Sequence, residues 1–127
     1  MLNKAWISLF SAIKSMARKN TPLVTAPPYE VEQALKRLGA NLRTARLRRN
    51  LTLPAVAAKI GTGVRAIRAA EAGQPGASAA VYVVLLWAYD LLRPFAALGD
   101  PAQDQEGLAQ ERLRKHAYPT KGLDNDF

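Results

Sequence analysis

The sequence has no cysteine, a single histidine and few aromatic residues. The missing thiols exclude disulfide frameworks, Cys-based zinc sites and thiol nucleophiles together. The one imidazole, His116, lies close to the end of the 127-residue chain. No carboxylate pair or Gly-rich phosphate loop accompanies it, so an enzyme is not expected, and neither is a metal or cofactor. Gly61-Thr62-Gly63 is too short to cradle a nucleotide. No run of about 18 apolar residues occurs, so no membrane span is expected. Nothing points to an oxidising compartment, which makes the cytoplasm the expected location.

Acidic residues are scarce in one half only. Residues 1–73 carry 13 Lys and Arg against three acids, a net +10, whereas residues 74–127 carry five against seven, a net −2. An anionic partner, nucleic acid or a membrane surface, would therefore meet the first half. Hydrophobic residues are 49% of the chain, enough for one small core rich in Ala, Leu and Val. The length fits a single domain with tails.

Residues 1–29 read as an arm and a linker. Leu2, Trp6, Leu9, Ile13 and Met16 are spaced to line one helical face, with Lys4, Ser8, Ser11, Ser15 and Arg18 elsewhere. A secretory signal fits badly, because the apolar stretch is short and Lys14 follows it. Three readings remain open for this basic amphipathic arm: a flexible or self-packing segment, contact of residues 1–20 with an anionic membrane, or a translation start at Met16 in place of Met1. Residues 20–29 hold three prolines and no charge, which predicts a linker.

Residues 30–99 are the expected domain, and every signal in them is helical. Val31, Leu35, Leu38, Leu42, Ala45 and Leu47 recur near a 3.6 period and predict a helix from Glu30 to about Asn50. Thr52 can cap a second helix over residues 54–60, which Gly61 breaks. A third helix is predicted over Val64–Ala72, stopped by Gly73 with Pro75 just beyond. Ser78 can cap a fourth through Ala79–Leu92, with Val81, Val84, Leu85, Ala88 and Leu92 as its apolar face. Pro94 opens a short fifth ending near Gly99. The apolar run from Ala79 to Leu92 is long for a strand, and its helical surroundings favour a central helix. In residues 100–127 a helix over Gln105–His116 is expected within a tail that is otherwise irregular.

Two short helices joined by a three-residue Gly-containing turn match a helix-turn-helix arrangement. The crossing needs a small residue, supplied by Ala57, and the turn needs left-handed backbone, supplied by Gly61. Val56, Ile60, Ile67 and Ala70 would hold the second of these helices to the first. That choice of inner face exposes Val64, Arg65, Arg68, Ala69 and Ala72.

The stretch LGANLRTARLRRNLTLPAVAAKIGTGVRAIRAAEAG resembles the Xre family of helix-turn-helix regulators, which includes the lambda and 434 repressors and Cro. The positions that carry the resemblance are Leu38, Gly39, Leu42, Arg43, Arg46, Leu51, Thr52, Val56, Ala57, Gly61, Ile67, Glu71 and Gly73. It implies an all-α, five-helix lambda-repressor-like domain binding double-stranded DNA. The implied DNA-facing set is Thr52, Leu53, Lys59, Val64, Arg65, Arg68, Ala69 and Gln74, with Arg46 and Glu71 as a structural ion pair between the first and third helices. Arg65, near the start of the third helix, is the candidate base reader, since an arginine can pair bidentately with guanine. Arg68, Lys59 and Gln74 are candidate phosphate contacts. Arg48 and Arg49 oppose the negative end of the first helix dipole and can also reach phosphate. Val64 can touch a thymine methyl. The sequence departs from the family pattern at Leu53, Gly63, Val64, Ala66 and Ala69, which leaves an apolar reading surface with two arginines.

The flanks, EAGQPGAS with the apolar helix after it and then GLAQER, resemble HipB-like antitoxins that accompany HipA-type serine/threonine kinases. This implies a homodimer that binds an inverted repeat in its own promoter and restrains a kinase toxin. Trp87, Tyr89 and Leu92 are then expected in the core or the dimer interface. Asp100, Asp104, Glu106 and Glu111 are candidates to meet a basic kinase surface. The alternatives are a solitary phage-type repressor and a protein-binding antitoxin subunit with degenerate DNA recognition.

Overall fold

In the computed structural model, which describes residues 4–9 and 21–117, every regular element is helical. The chain divides into two compact units, residues 1–91 and 92–127. The first holds four main helices: α1 (Tyr29–Arg48), α2 (Leu53–Ile60), α3 (Val64–Glu71) and α4 (Ala79–Ala88). The second holds two short 3-10 helices, Arg93–Ala97 and Pro101–Gln103, and then α5 (Gln105–Ala117). Among the described residues no helix is long and apolar enough to cross a membrane.

Helix α1 starts directly after two prolines, carries Glu30 and Glu32 in its first turn and Arg46 and Arg48 in its last. Both ends therefore complement the helix dipole. Asn50, just past its end, takes left-handed backbone (φ 52°), which the short polar side chain tolerates. Thr52 caps α2, its hydroxyl oxygen accepting from Ala55 N at 3.2 Å, and Gly61 ends it at φ 73°. Helix α4 begins where the Ser78 hydroxyl accepts from Ala80 N at 3.2 Å.

Leu42 and Ala45 of α1, Val56 and Ala57 of α2, Ile67 and Ala70 of α3, and Tyr82, Leu85 and Tyr89 of α4 make one buried cluster. Ile60 packs against it from its edge. The predicted apolar face of α4 is displaced by about one position, because a helix apolar nearly all round does not declare its inner side. Tyr82, Leu85 and Tyr89 turn inward, Tyr89 as one of its two alternatives had it, while Trp87 is 59% exposed and so lies outside the core. The helix also stops at Ala88 rather than Leu92, with Asp90 left-handed (φ 59°). The predicted fifth helix is the 3-10 helix Arg93–Ala97, which falls in the second unit. The proline-rich linker contains a helical turn, Pro22–Thr25, because Pro22 suits a first helical turn.

Helices α1 and α3 meet backbone to backbone. A Cβ on Gly39 would lie 2.5 Å from the Ala70 carbonyl oxygen and 2.6 Å from that of Glu71. One on Gly73 (φ 68°) would lie 2.5 Å from Lys36 Cα. At this crossing the Glu71 carboxylate accepts from Arg46 Nε (2.6 Å) and Nη2 (3.1 Å), and Arg46 Nη1 donates to the Leu51 carbonyl (2.8 Å). One buried guanidinium thus joins α1, the α1–α2 loop and α3.

Three stability outcomes follow, two from this crossing and one from the start of α3. Gly39→Ala pushes a methyl into fixed backbone and lowers unfolding stability by about 3 kcal/mol. Gly63→Ser, at an α3 start that has no side-chain cap, raises it by about 0.5 kcal/mol. Glu71→Ala strands the Arg46 charge and costs about 3–5 kcal/mol, most of which the double change Arg46→Met/Glu71→Leu restores. Urea unfolding of the four variants checks all of these values.

Candidate nucleic-acid interface

Helices α2 and α3 are joined by only three residues, Gly61-Thr62-Gly63. Gly61 and Thr62 both donate their backbone N–H to the Ala57 carbonyl, at 3.0 and 3.1 Å, which closes α2 and fixes where α3 begins. The orientation of α3 is then set by burial, because Ile67 and Ala70 have no exposed surface at all. Three residues apart on the outside, Arg65 and Arg68 are both exposed. Lys59, in the last turn of α2, is exposed as well.

Glu71 is the sole acid between Asn50 and Ala77, and Arg46 neutralises it. The α2–α3 surface therefore carries Lys59, Arg65 and Arg68 with no opposing charge of its own. Gln74 has an exposed side chain on a held backbone: its N–H donates to the Ala69 carbonyl (3.0 Å) and its carbonyl accepts from the Tyr82 hydroxyl (3.0 Å).

The remaining expected DNA-facing residues are placed differently. Leu53 and Val64, each the first residue of its helix, are half-buried and pack against the core cluster, so their apolar surface is largely spent inside the domain. Ala69 is half-buried and short. Thr52 is exposed and caps α2 with its hydroxyl oxygen. The arginines at the end of α1 also separate into two roles. Arg48 is exposed on the solvent side. Arg49 Nη1 donates to the Ala45 carbonyl (2.9 Å) and Nη2 to the Tyr89 carbonyl (2.8 Å), with its guanidinium 5.4 Å from the centre of the Tyr89 ring. Arg49 thus ties the ends of α1 and α4, a pairing across 40 residues that no local pattern announces.

Beneath the arginines, the buried Tyr89 hydroxyl has no hydrogen-bond partner among the described residues. Burial, and secondarily the Glu71 charge, push the Tyr89 phenol above its ordinary value, while Arg46 and Arg49 pull it partly back. Burial likewise raises Tyr82. Each phenol ionises in the unfolded chain first, at pH about 10, so this contribution to stability is complete below pH 10 and falls as pH rises beyond it. Tyr89→Phe removes an unpaired polar group and leaves neutral-pH stability unchanged or up to about 1 kcal/mol higher. Tyr82→Phe loses the bond to Gln74 and costs about 1 kcal/mol. Unfolding from pH 7 to 11 checks the pair, with Tyr89→Phe showing the shallower alkaline decline.

Among the described residues no group of three or more His, Asp or Glu side chains is placed to hold a metal ion. No protein-family model, curated protein or solved structure matches this chain.

Proposed function

We propose that the protein is a sequence-specific DNA-binding transcriptional regulator in which α2 and α3 are the two helices of a lambda-repressor-like helix-turn-helix. One observation carries this reading: α3 is locked from behind by Ile67, Ala70 and the Arg46–Glu71 pair, while its outer face presents Arg65 and Arg68 on a surface without free acids. A groove-reading helix needs that combination, since its register must be rigid and its exposed side must suit phosphate and base edges. In this reading Arg65, nearest the N-terminal end of α3, pairs with a guanine. Arg68, Lys59 and the Gln74 side chain meet phosphates. A homodimer would place two copies on half-sites about one helical turn apart, an inverted repeat.

The resemblance of EAGQPGAS and GLAQER to HipB-like antitoxins extends this proposal to the autorepressing antitoxin of a HipBA-type module, with a serine/threonine kinase as protein partner. The acidic residues proposed to meet that kinase each have a local partner already. Asp100 and Asp104 accept from Ala102 N and Gly107 N, Glu106 from Gln110 Nε2, and Glu111 pairs with Lys115 at 3.0 Å. Kinase contact through them would exchange these exposed interactions rather than satisfy unpaired charges.

The placement of Leu53 and Val64 favours a second reading. With both turned to the core and Ala69 too short to reach, two arginines do all the reading, and a protein-binding antitoxin subunit with degenerate DNA recognition fits that surface.

Fluorescence anisotropy with the gene's own upstream duplex and a scrambled duplex, across a salt series, separates the two. Sequence recognition predicts a preference for the native duplex that Arg65→Ala reduces about 10-fold or more. Arg68→Ala would weaken both duplexes alike and lower the slope of log affinity on log salt by about one. Equal, weak binding of both duplexes by the unmodified protein overturns specific regulation in favour of the second reading.

A further inference from the structure

The loop between α3 and α4 is held at more points than closing it requires. Gly73 leaves α3 in left-handed backbone (φ 68°) and is buried against α1, where a Cβ would lie 2.5 Å from Lys36 Cα. The Gln74 N–H donates to the Ala69 carbonyl at 3.0 Å, so the loop is tied to the turn of α3 that carries Arg68. The Gln74 carbonyl accepts twice, from Ala77 N at 3.1 Å and from the Tyr82 hydroxyl at 3.0 Å. From outside, Val24 of the Pro22–Thr25 turn approaches Gly76, its Cγ1 3.4 Å from where a Cβ would stand. Residues 24–27 face residues 72–75 across a cleft.

The bond from Tyr82 is not demanded by burial. Tyr89, at the end of the same helix, is 1% exposed with an unpartnered hydroxyl, and Tyr82 is 5% exposed. The core thus admits a phenol without a partner, and phenylalanine would fill the same space. What the Tyr82 oxygen adds is a fixed place for one loop carbonyl, and that carbonyl belongs to Gln74. The Gln74 side chain itself is exposed and bonds to no described residue. With its backbone fixed by three hydrogen bonds, Gln74 has already lost most of the backbone freedom that binding would otherwise remove. Its neighbour across the Ala69 bond is the exposed Arg68, and a neutral amide beside an arginine suits phosphate oxygens.

We propose that Tyr82 is a positioning residue for phosphate contact: its hydroxyl holds the Gln74 carbonyl so that the Gln74 amide and Arg68 meet the same stretch of nucleic-acid backbone. This role rests on the reading of α2 and α3 as a DNA-binding pair, and it adds a buried residue of α4 to that interface. Tyr82 touches no nucleic acid and acts only through the loop.

The test measures duplex affinity of the full chain by fluorescence anisotropy, with urea unfolding of each variant alongside. Gln74→Ala is expected to weaken the native and scrambled duplexes alike, about five-fold, the loss expected for one hydrogen bond. Tyr82→Phe weakens both about three-fold, since the loop keeps its other bonds. The double change Gln74→Ala/Tyr82→Phe binds no more weakly than Gln74→Ala, because the clamp has nothing left to position. The slope of log affinity on log salt stays unchanged in all three, since no charge is removed. Gln74→Glu, which sets a carboxylate at an exposed position, costs more affinity than Gln74→Ala. Tyr89→Phe, with no bond to lose, leaves affinity as it was.

A lower urea midpoint in Tyr82→Phe with unaltered affinity makes the bond purely structural and overturns the proposal. Losses that multiply in the double variant overturn it too, because the two residues then act independently. Salt-sensitive duplex binding that Gln74→Ala leaves intact overturns the clamp alone and leaves the DNA reading standing. Failure of the unmodified chain to bind either duplex removes the DNA reading, and the clamp falls with it.

Discussion

The first unit depends on the contact between Arg46 and Glu71. Its two charges are almost wholly removed from water, which is unfavourable unless the geometry compensates. Here it does: the guanidinium meets the carboxylate through two nitrogens and uses a third on the Leu51 carbonyl. The hydrogen bond to Glu71 raises the Arg46 pKa above its ordinary value, against the opposing effect of burial. Three separate pieces of chain are thereby registered at one point. The Gly39 and Gly73 crossing lies at the same end of α3, and only the missing side chains allow that approach. A charge pair needs fixed distances, and backbone contact between two glycines supplies them.

A second tie works on the same principle one turn further along, just past the end of α1. Arg49 holds the Ala45 and Tyr89 carbonyls and covers the Tyr89 ring. Helix α4, apolar nearly throughout, has no polar face to orient it, so the arginine at its end and the Tyr82 bond to Gln74 provide the orientation that hydrophobicity cannot. The unpaired Tyr89 hydroxyl is a by-product: its ring fills the core and stacks beneath Arg49, while the oxygen finds no donor or acceptor.

The parts legible in the sequence are those governed by local chemistry. Thr52, Gly61 and Ser78 act at helix ends as their side chains and backbone preferences dictate. Val56, Ile67 and Ala70 are buried as the 3.6 period requires. The Arg46–Glu71 pairing came only from family resemblance, since 25 residues separate the partners and no spacing rule connects them. Three features were not fully legible. The inner side of α4 was legible only at Leu85 and Tyr89, because apolar residues occupy every side; Tyr82 went inward in spite of its hydroxyl, while Val81, Val84 and Ala88 are only half-buried. Val64 looked solvent-facing from helical phase, and Leu53 entered the DNA-facing set only through the family resemblance, but first-turn positions of short helices lie close to the neighbouring elements and both pack against the core. The linker hid a helical turn because proline, which ends helices, also begins them.

The arginines and lysines of the first unit thus divide by what holds them. Lys36 is paired with Glu32, Arg46 with Glu71, and Arg49 with two carbonyls. Arg37, Arg43, Arg48, Lys59, Arg65 and Arg68 stay exposed at the surface. Salt acts differently on the buried Arg46–Glu71 pair and on the exposed charges, the Lys36–Glu32 pair and Arg49 among them. A buried pair is screened little, whereas exposed charges facing a polyanion lose their attraction within about 10 Å at ordinary ionic strength. The Arg46–Glu71 contribution to folding is therefore little affected by salt, while attraction of the exposed cations to any polyanion is steeply sensitive. The proposed α3 surface relies on the exposed cations: α3 has turned Ile67 and Ala70 inward and offers water polar heads and short side chains. Positive charge alone selects a class of polyanion weakly, and the small apolar part of this surface is what suits it to the edges of a duplex groove.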